Sequence, residues 1–371
     1  MTTPPTLEEA LGPRLRSLDA ATARLVREMP KAELHLHLDG SLRIDTALEL
    51  ARSRGVDAPS TAAGMRAILM PPPQVTDQAE LLLAFDLPIA LMQDAEALER
   101  ISAELVETKA AEGVRYVEIR WGPLLHVERG LDLADGIAAI IAGGSRAAAA
   151  AARAGAPIVV RYICTALRSH APADNLRLAE AAVRFRDRGL VGWDFAGQEA
   201  RFPDPAPHRA AFAAARAGGL HVTIHAGEWG GAAQVRAALA VDPERIAHGP
   251  GAADDPALMA ELRARRIALD LCPSSNMQAS IVPTLAEHPL ARLHRAGVPV
   301  TLSTDDVTVS DLLLTDEYVR VLERIGLTLP ELWAIDRFAL DVAFADDAAL
   351  VPLRAAFDAW AAAHPEVLAG R

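Results

Sequence analysis

The chain has 371 residues, of which 51% are hydrophobic, 4% aromatic and 23% charged, and its formal net charge is -12. This composition is typical of a globular protein and excludes the collagen-like and disordered classes. The acidic balance also disfavours a nucleic-acid partner, because binding to phosphates relies on a basic surface.

The cysteines and the N-terminal residues bear on the cellular compartment. Cys164 and Cys272 lie far apart and support no disulfide framework, which favours a reducing compartment. Residues 1–9 have no basic start followed by an apolar stretch, so no signal peptide is predicted. No run approaches about 18 apolar residues, so no membrane helix is expected. We therefore expect a cytoplasmic protein without a membrane partner.

Short apolar runs rich in β-branched residues recur along the chain and predict eight strands. In chain order they cover about 32–38, 114–121, 157–164, 190–195, 220–225, 245–248, 266–272 and 298–304. Stretches with helical periodicity lie between most of them, at 95–112, 134–154, 174–188, 207–217 and 255–265. Gly113, Gly155, Gly189, Gly219 and Gly297 separate a helix from the next strand, as a glycine C-cap does. Segment 70–76 reads as a turn-rich connection and 308–318 as a loop before the last helices.

Strands that alternate with helices predict parallel βα units, and eight such units predict an α/β fold of the (β/α)8 TIM barrel type. An open doubly wound sheet is the alternative topology, but no G-x-G-x-x-G follows the first strand. We expect one domain over 1–371, with an N-terminal extension of about 1–29, a barrel over about 30–345 and additional helices to 371.

Reactive side chains follow five of the predicted strands, at the end where a barrel builds its active site. His35 and His37 are two residues apart on the first strand, so both point to one side and could bind one cation. His225 could add a third nitrogen and Asp305 an oxygen, a set that suits a divalent cation such as zinc. The alternatives are a hydrogen-bonded pair of core histidines and, for Asp305, a turn or helix cap.

Two further residues are candidates for proton transfer. Glu228 follows His225 by three residues and is predicted to donate a proton to the substrate, although it could also be a charge at a helix N-terminus. His248 is a candidate general base for an attacking water, with a structural histidine as the alternative. Asp306 could accept a proton or orient the substrate.

Taken together, these motifs closely resemble the adenosine deaminase family of the amidohydrolase superfamily. The matching segments are His35-x-His37-x-Asp39-Gly40, Asp194-x-Ala196-Gly197-x-Glu199, His225-Ala-Gly-Glu228, His248-Gly249, Ser274-Ser275-Asn276 and Ser303-Thr-Asp305-Asp306. The resemblance implies one zinc ion per chain, held by His35, His37, His225 and Asp305. It implies Glu228 as the proton donor to purine N1, His248 as the base, and Asp306 as a hydrogen-bond partner near N7.

The resemblance also implies the groups that hold the substrate. The Gly197 backbone would meet N3, Asp39 would contact the ribose 5′-hydroxyl, and His37 counts among the substrate-binding residues. Leu81, Leu82 and Phe85, on a predicted helix, would form an apolar gate, with ordinary core packing as the alternative.

The implied reaction is the hydrolytic deamination of adenosine or 2′-deoxyadenosine to inosine or 2′-deoxyinosine, with release of ammonia. Adenine and aminodeoxyfutalosine remain alternative substrates, although Asp39 disfavours adenine because adenine-specific relatives tend to carry Glu there. A nucleotide substrate would need basic groups for its phosphate, and only Arg43 and Arg201 lie near the motif loops.

Three further observations limit this interpretation. A non-catalytic zinc- or nucleoside-binding barrel is a second alternative, disfavoured because both the acid and the base are present. The only lysines, Lys31 and Lys109, cannot supply the carboxylated lysine of two-metal relatives after the fourth strand, which favours a single metal. Gln198 and Val307 depart from the family pattern beside the predicted pocket.

Overall fold

The structure, a computed structural model, describes residues 18–369, and the stretch used to exclude a signal peptide lies outside this range. Eight parallel strands form one sheet in which each strand pairs with the next in chain order. They are β1 (Lys31–His37), β2 (Val114–Trp121), β3 (Val159–Leu167), β4 (Leu190–Ala196), β5 (His221–Ala226), β6 (Arg245–His248), β7 (Ala268–Leu271) and β8 (Val300–Leu302). The predicted TIM barrel is confirmed, and each predicted strand is present.

Helices connect the strands and surround the barrel. They are α1 (Ala20–Glu28), α2 (Ile44–Arg54), α3 (Ala62–Leu69), α4 (Gln78–Leu82), α5 (Asp86–Leu91), α6 (Ala95–Ala111), α7 (Leu133–Arg153), α8 (Pro172–Val183), α9 (Arg209–Ala217), α10 (Gly231–Ala238), α11 (Pro256–Arg265), α12 (Pro273–Gln278), α13 (Leu290–Arg295), α14 (Leu314–Arg320), α15 (Leu329–Val342) and α16 (Asp347–Ala363). Short 3-10 turns also occur between these elements. Leu83–Phe85 extends α4, and Pro123–His126 follows β2.

Local sequence explains where the main helices begin and end. Asp94 accepts a hydrogen bond from the Ala97 amide at 2.8 Å and so caps the N-terminus of α6. The five glycines predicted to end helices all have positive φ angles, between 76° and 94°, which glycine adopts without steric strain.

One loop prediction was wrong at its C-terminal end. The segment 308–318 contains the start of α14 at Leu314. The Asp316 carboxylate accepts a hydrogen bond from the Leu313 amide at 2.5 Å, which stabilises the first turn of this helix. Leu314 is fully buried, so tertiary packing adds to the local signal.

Helices α6 and α7 pack closely because α7 carries glycines at the contact. A Cβ atom on Gly143 would lie 2.0 Å from the backbone oxygen of Glu99 in α6. By length and composition, α7 is the one helix of residues 18–369 that could cross a membrane, contrary to the expectation of no such run. Here it is the barrel helix between β2 and β3, with one face buried.

The barrel closes where β8 returns to β1, at a junction that we call the seam. The Asp305 amide donates to the His35 carbonyl at 3.1 Å, and the His37 amide donates to the Asp305 carbonyl at 2.7 Å. The Ser303 hydroxyl accepts from the His35 amide at 3.1 Å. The seam is therefore joined largely through residues just beyond the end of β8, and these include candidate site residues.

Candidate active site

A cavity of about 490 Å³ opens at the C-terminal ends of the strands, as the barrel fold predicts. Nearly every residue proposed from sequence lines it, namely His37, Asp39, Leu81, Leu82, Phe85, Gly197, His225, Glu228, His248, Asp305 and Asp306. His35 is fully buried against these side chains. The structure thus brings together residues from five strand ends that are far apart in sequence.

Four donor atoms lie at the spacing of a metal site. His35 Nε2 lies 3.0 Å from Asp305 Oδ1 and 3.3 Å from His37 Nε2. His37 Nε2 lies 3.2 Å from His225 Nε2 and 3.4 Å from Asp305 Oδ1. Donors that surround an ion tetrahedrally at 2.0–2.1 Å are about 3.3 Å apart. The residues therefore fit a small divalent cation.

His248 is a fifth donor at the same place. Its candidate ligand atom lies within 4.8 Å of those of His35, His225 and Asp305. Its Nε2 is 3.7 Å from Asp305 Oδ2 and 3.8 Å from Glu228 Oε1, and its Nδ1 lies 3.1 Å from the Asn276 amide nitrogen. Sets with His37 or with His248 would both provide three imidazoles and one carboxylate.

Buried polar groups orient the candidate ligands. His225 Nδ1 lies 3.0 Å from the carboxylate of Asp194, which also receives the Thr165 hydroxyl at 3.1 Å and lies 3.4 Å from Arg120. The Ser275 hydroxyl donates to Asp305 Oδ2 at 2.7 Å. Such partners commonly fix the tautomer and orientation of metal-binding side chains.

Sequence analysis assigned these supporting residues no role. Asp194, Ser275 and Asn276 were present only as parts of the matched motifs. Their position was the available signal, because Asp194 lies near the end of β4 and Ser275 and Asn276 follow β7, and each of these strands adjoins one that carries a candidate site residue. Arg120 and His126 had no such signal.

Glu228 lies in the turn between β5 and α10, and a second glutamate fixes that turn. Glu199 accepts hydrogen bonds from the amides of Trp229 at 3.1 Å and Gly230 at 2.9 Å. Burial raises the pKa of Glu228 well above its ordinary value, and the negative charge of Asp305 acts in the same direction. The raised pKa favours the protonated carboxylic acid, the form that the proposed proton donor must have.

Asp39 and Asp306 face the cavity in different charge states. Burial and the charge of Asp305 raise the pKa of Asp306 well above its ordinary value. Burial opposes ionisation of Asp39, but the nearby imidazoles of His37, at 3.7 Å, and His126, at 3.8 Å, outweigh it and hold the pKa of Asp39 below its ordinary range. Asp39 is therefore a hydrogen-bond acceptor, whereas Asp306 can donate.

Gly40 makes room for Asp306. A Cβ atom at Gly40 would lie 1.7 Å from Asp306 Oδ1. No rotamer of a larger residue avoids this overlap, because the Cβ position is set by the backbone. The His-x-His-x-Asp-Gly motif therefore ends in glycine for a steric reason.

Apolar residues cover one side of the cavity. Leu81 and Leu82 of α4 and Phe85 of the following 3-10 turn line it, together with Ile89 and Leu125. The cavity lining thus contains all three residues suggested as a gate.

The two arginines suggested for a phosphate differ in position. Arg201 lines the cavity, whereas Arg43 donates to the Glu104 carbonyl at 2.6 Å and is not part of the lining. Of the two departures from the family pattern, Gln198 lines the cavity and Val307 packs against the hydrophobic core.

Comparisons with known proteins agree with this geometry. The family described as adenosine deaminase matches residues 30–360. The adenosine deaminase of Mycobacterium ulcerans (strain Agy99) is 42% identical over 322 residues, covering 83% of this chain and 88% of that protein.

Solved structures with the same fold contain a zinc ion or a purine nucleotide. An amidohydrolase of Burkholderia ambifaria with bound Zn superposes with a TM-score of 0.85 at 26% identity, covering 95% of this chain and 96% of that chain. Arabidopsis ADAL complexed with IMP has a TM-score of 0.80 at 28% identity, covering 92% of this chain and 99% of that chain.

Proposed function

Since the chain belongs to the adenosine deaminase family, and is thus a hydrolytic purine deaminase, we propose that it deaminates adenosine and 2′-deoxyadenosine with one zinc ion per chain. The products would be inosine or 2′-deoxyinosine and ammonia. The observation that carries this proposal is the position of Glu228, whose pKa burial raises, and of a buried His248 beside the cluster of metal donors.

We assign the metal ligands as His35, His37, His225 and Asp305. The Nε2 atom of His37 lies 3.2–3.4 Å from one donor atom of each of the other three ligands, the spacing expected in a four-coordinate site. His248 lies farther from Asp305, at 3.7 Å, and also faces Glu228. A bound zinc ion would supply a Lewis acid that lowers the pKa of water to about 7.

The remaining residues divide the proton transfers between them. Burial lowers the pKa of His248 to about 3, so the imidazole is neutral, which is the form that a general base for the attacking water must have. Glu228 gives its proton to purine N1, which makes C6 more electrophilic as the C6–O bond forms. The amino group then takes the proton held by His248 and leaves as ammonia, while the C6 hydroxyl returns a proton to Glu228 and becomes the carbonyl. Asp306 hydrogen-bonds N7 throughout.

We propose that the substrate is a nucleoside. Asp39 is ionised and could accept a hydrogen bond from a ribose hydroxyl, whereas it would repel a phosphate. Asp86 also lines the cavity, so Arg201 is the one guanidinium among its lining residues against several carboxyl groups. The apolar side chains Leu82 and Phe85 provide a surface for the flat purine ring.

A panel assay for ammonia release tests this proposal. Zinc-loaded protein would meet adenosine, 2′-deoxyadenosine, adenine, AMP and aminodeoxyfutalosine separately, each with a chelator control. We expect chelator-sensitive turnover of the first two with the highest kcat/KM. Higher kcat/KM for AMP that is lost in Arg201→Ala would replace the nucleoside by a nucleotide. No turnover across the panel by zinc-loaded protein would favour a binding protein.

A further inference from the structure

We propose that Glu33 and Lys109 are positioning residues that hold Asp305 in place for metal binding. The inference rests on the metal site proposed above, and it concerns a buried chain of contacts from helix α6 to the seam. Neither residue lines the cavity, and sequence analysis gave neither a role.

Glu33 fixes the residue immediately before Asp305. It lies in β1 and is fully buried. Its Oε1 atom accepts hydrogen bonds from the Thr304 amide at 3.0 Å and from the Thr304 hydroxyl at 2.5 Å. Two donors of one residue are thus held by a single carboxylate oxygen across the seam.

Asp305 needs such support because its backbone is strained. Its φ angle is 71°, in the left-handed region that disfavours residues with a side chain. A conformation of this kind persists only where the surroundings enforce it. The amide and carbonyl of Asp305 are held by β1, and Glu33 restrains the preceding residue, so the direction of the Asp305 carboxylate follows from both sets of bonds.

Lys109 is the ion-pair partner of Glu33 in the interior. Its Nζ atom lies 2.9 Å from Glu33 Oε2 and 2.9 Å from Glu112 Oε1, and the three side chains are almost completely buried. Burial disfavours the ammonium, but the charges of Glu112 and Glu33 outweigh it and raise the pKa of Lys109. An isolated buried carboxylate would be strongly destabilising, so Glu33 depends on this partner.

The second lysine of the chain provides a matched control. Lys31 is equally buried, and its Nζ atom donates to the backbone oxygens of Met29 at 3.0 Å and Glu112 at 3.1 Å. It is not bonded to Glu33 or Thr304. Its replacement by methionine removes a buried ammonium without breaking the contacts that lead to Asp305.

The experiment compares metal affinity with the stability of the metal-free protein. Zinc dissociation constants would be measured by competition with a chromophoric chelator, and Tm by thermal unfolding without metal. The double variant Glu33→Met with Lys109→Met removes the acceptor together with its partner. We expect its zinc affinity to fall about 10- to 100-fold, the range typical of groups that orient metal ligands. Glu33→Gln with Lys109→Met keeps an acceptor for Thr304 and should stay within about threefold of wild type.

Three further variants separate positioning from general stability. Lys31→Met should lower Tm and leave zinc affinity unchanged. Thr304→Val is a mild change that keeps the shape and the amide, and it should weaken zinc several-fold even if the double variants fail to fold. In an Asp305→Ala background, Glu33→Met should cause no further loss of affinity, because its effect passes through Asp305.

Unchanged zinc affinity in Thr304→Val and in the Glu33→Met double variant would overturn the positioning role. Equal losses of affinity in Lys31→Met and in the Glu33→Met double variant would do the same, because they would reflect general stability. Failure of the metal site itself is distinguishable, since His225→Ala would then retain wild-type zinc affinity.

Discussion

Replacing Glu228 with glutamine tests the central assignment, because it removes a transferable proton and keeps the shape of the side chain. Burial and the charge of Asp305 raise the pKa of Glu228 and so favour its protonated form. His248 Nε2 lies 3.8 Å from Glu228 Oε1, but His248 must accept a proton in the same reaction and cannot replace Glu228 as the donor. The amide of glutamine can hydrogen-bond N1 but cannot protonate it.

The expected loss follows from that geometry. A positioned general acid contributes about 10²- to 10⁴-fold to rate, or about 3 to 5 kcal/mol of transition-state free energy. We expect this loss in kcat, with little change in KM or zinc content, because glutamine preserves the contact with bound purine. Ammonia release from adenosine and metal analysis of the same preparation measure both quantities.

The pH profile gives an independent check on the same residue. The raised pKa means that Glu228 carries its proton up to a pH well above the ordinary range and loses it as the pH rises further. Wild-type kcat/KM should therefore fall on the alkaline side, and this limb should be absent from the variant. Glu287→Gln, on an exposed turn, is the control. A zinc-loaded Glu228→Gln enzyme within threefold of wild-type kcat would refute the assignment.

Three other perturbations give separate predictions. Asp194→Asn should weaken zinc about 10- to 100-fold by competition titration, because it disturbs the 3.0 Å contact to His225; unchanged affinity would contradict the orienting role. Burial raises the pKa of Asp336 to about 7, so the folded protein binds this proton more tightly and the free energy of unfolding should fall between about pH 4 and 7, by up to about 4 kcal/mol. Asp336→Asn should reduce that slope in denaturant titrations, with Glu317 still contributing because burial raises its pKa to about 7 as well, and an unchanged slope would contradict the role of Asp336. Leu82→Ala with Phe85→Ala should raise KM for adenosine about tenfold with similar kcat, as loss of apolar contact predicts, and an unchanged KM would return these residues to core packing.

The strands could be predicted from sequence because they are buried parallel strands. Segments such as 114–121 and 245–248 contain buried β-branched residues, and their bounds agree with β2 and β6. The clustering of His35, His225 and Asp305 also followed from the fold, since a barrel brings its strand ends together. The prediction that failed concerned a local element, the helix that begins at Leu314. This helix is stabilised by burial of Leu314, which the periodicity of the sequence does not reveal.

The orienting groups could not be predicted in the same way. Arg120 and Glu33 lie within strands, where a charged residue gives no indication of its partner. Their contacts with Asp194 and Thr304 cross between strands and depend on the register of the barrel. The periodicity of a strand indicates which face of the sheet a side chain points to. It does not indicate which residue of another strand lies opposite that side chain.

The position of the seam has a consequence for how the protein is made. His35 and His37 leave the ribosome before Asp305, which is added only after the eighth strand. A nascent chain that lacks this last segment would present histidines without their carboxylate and would hold zinc weakly. Tight metal capture would therefore coincide with barrel closure, so that a truncated or stalled chain does not sequester the ion.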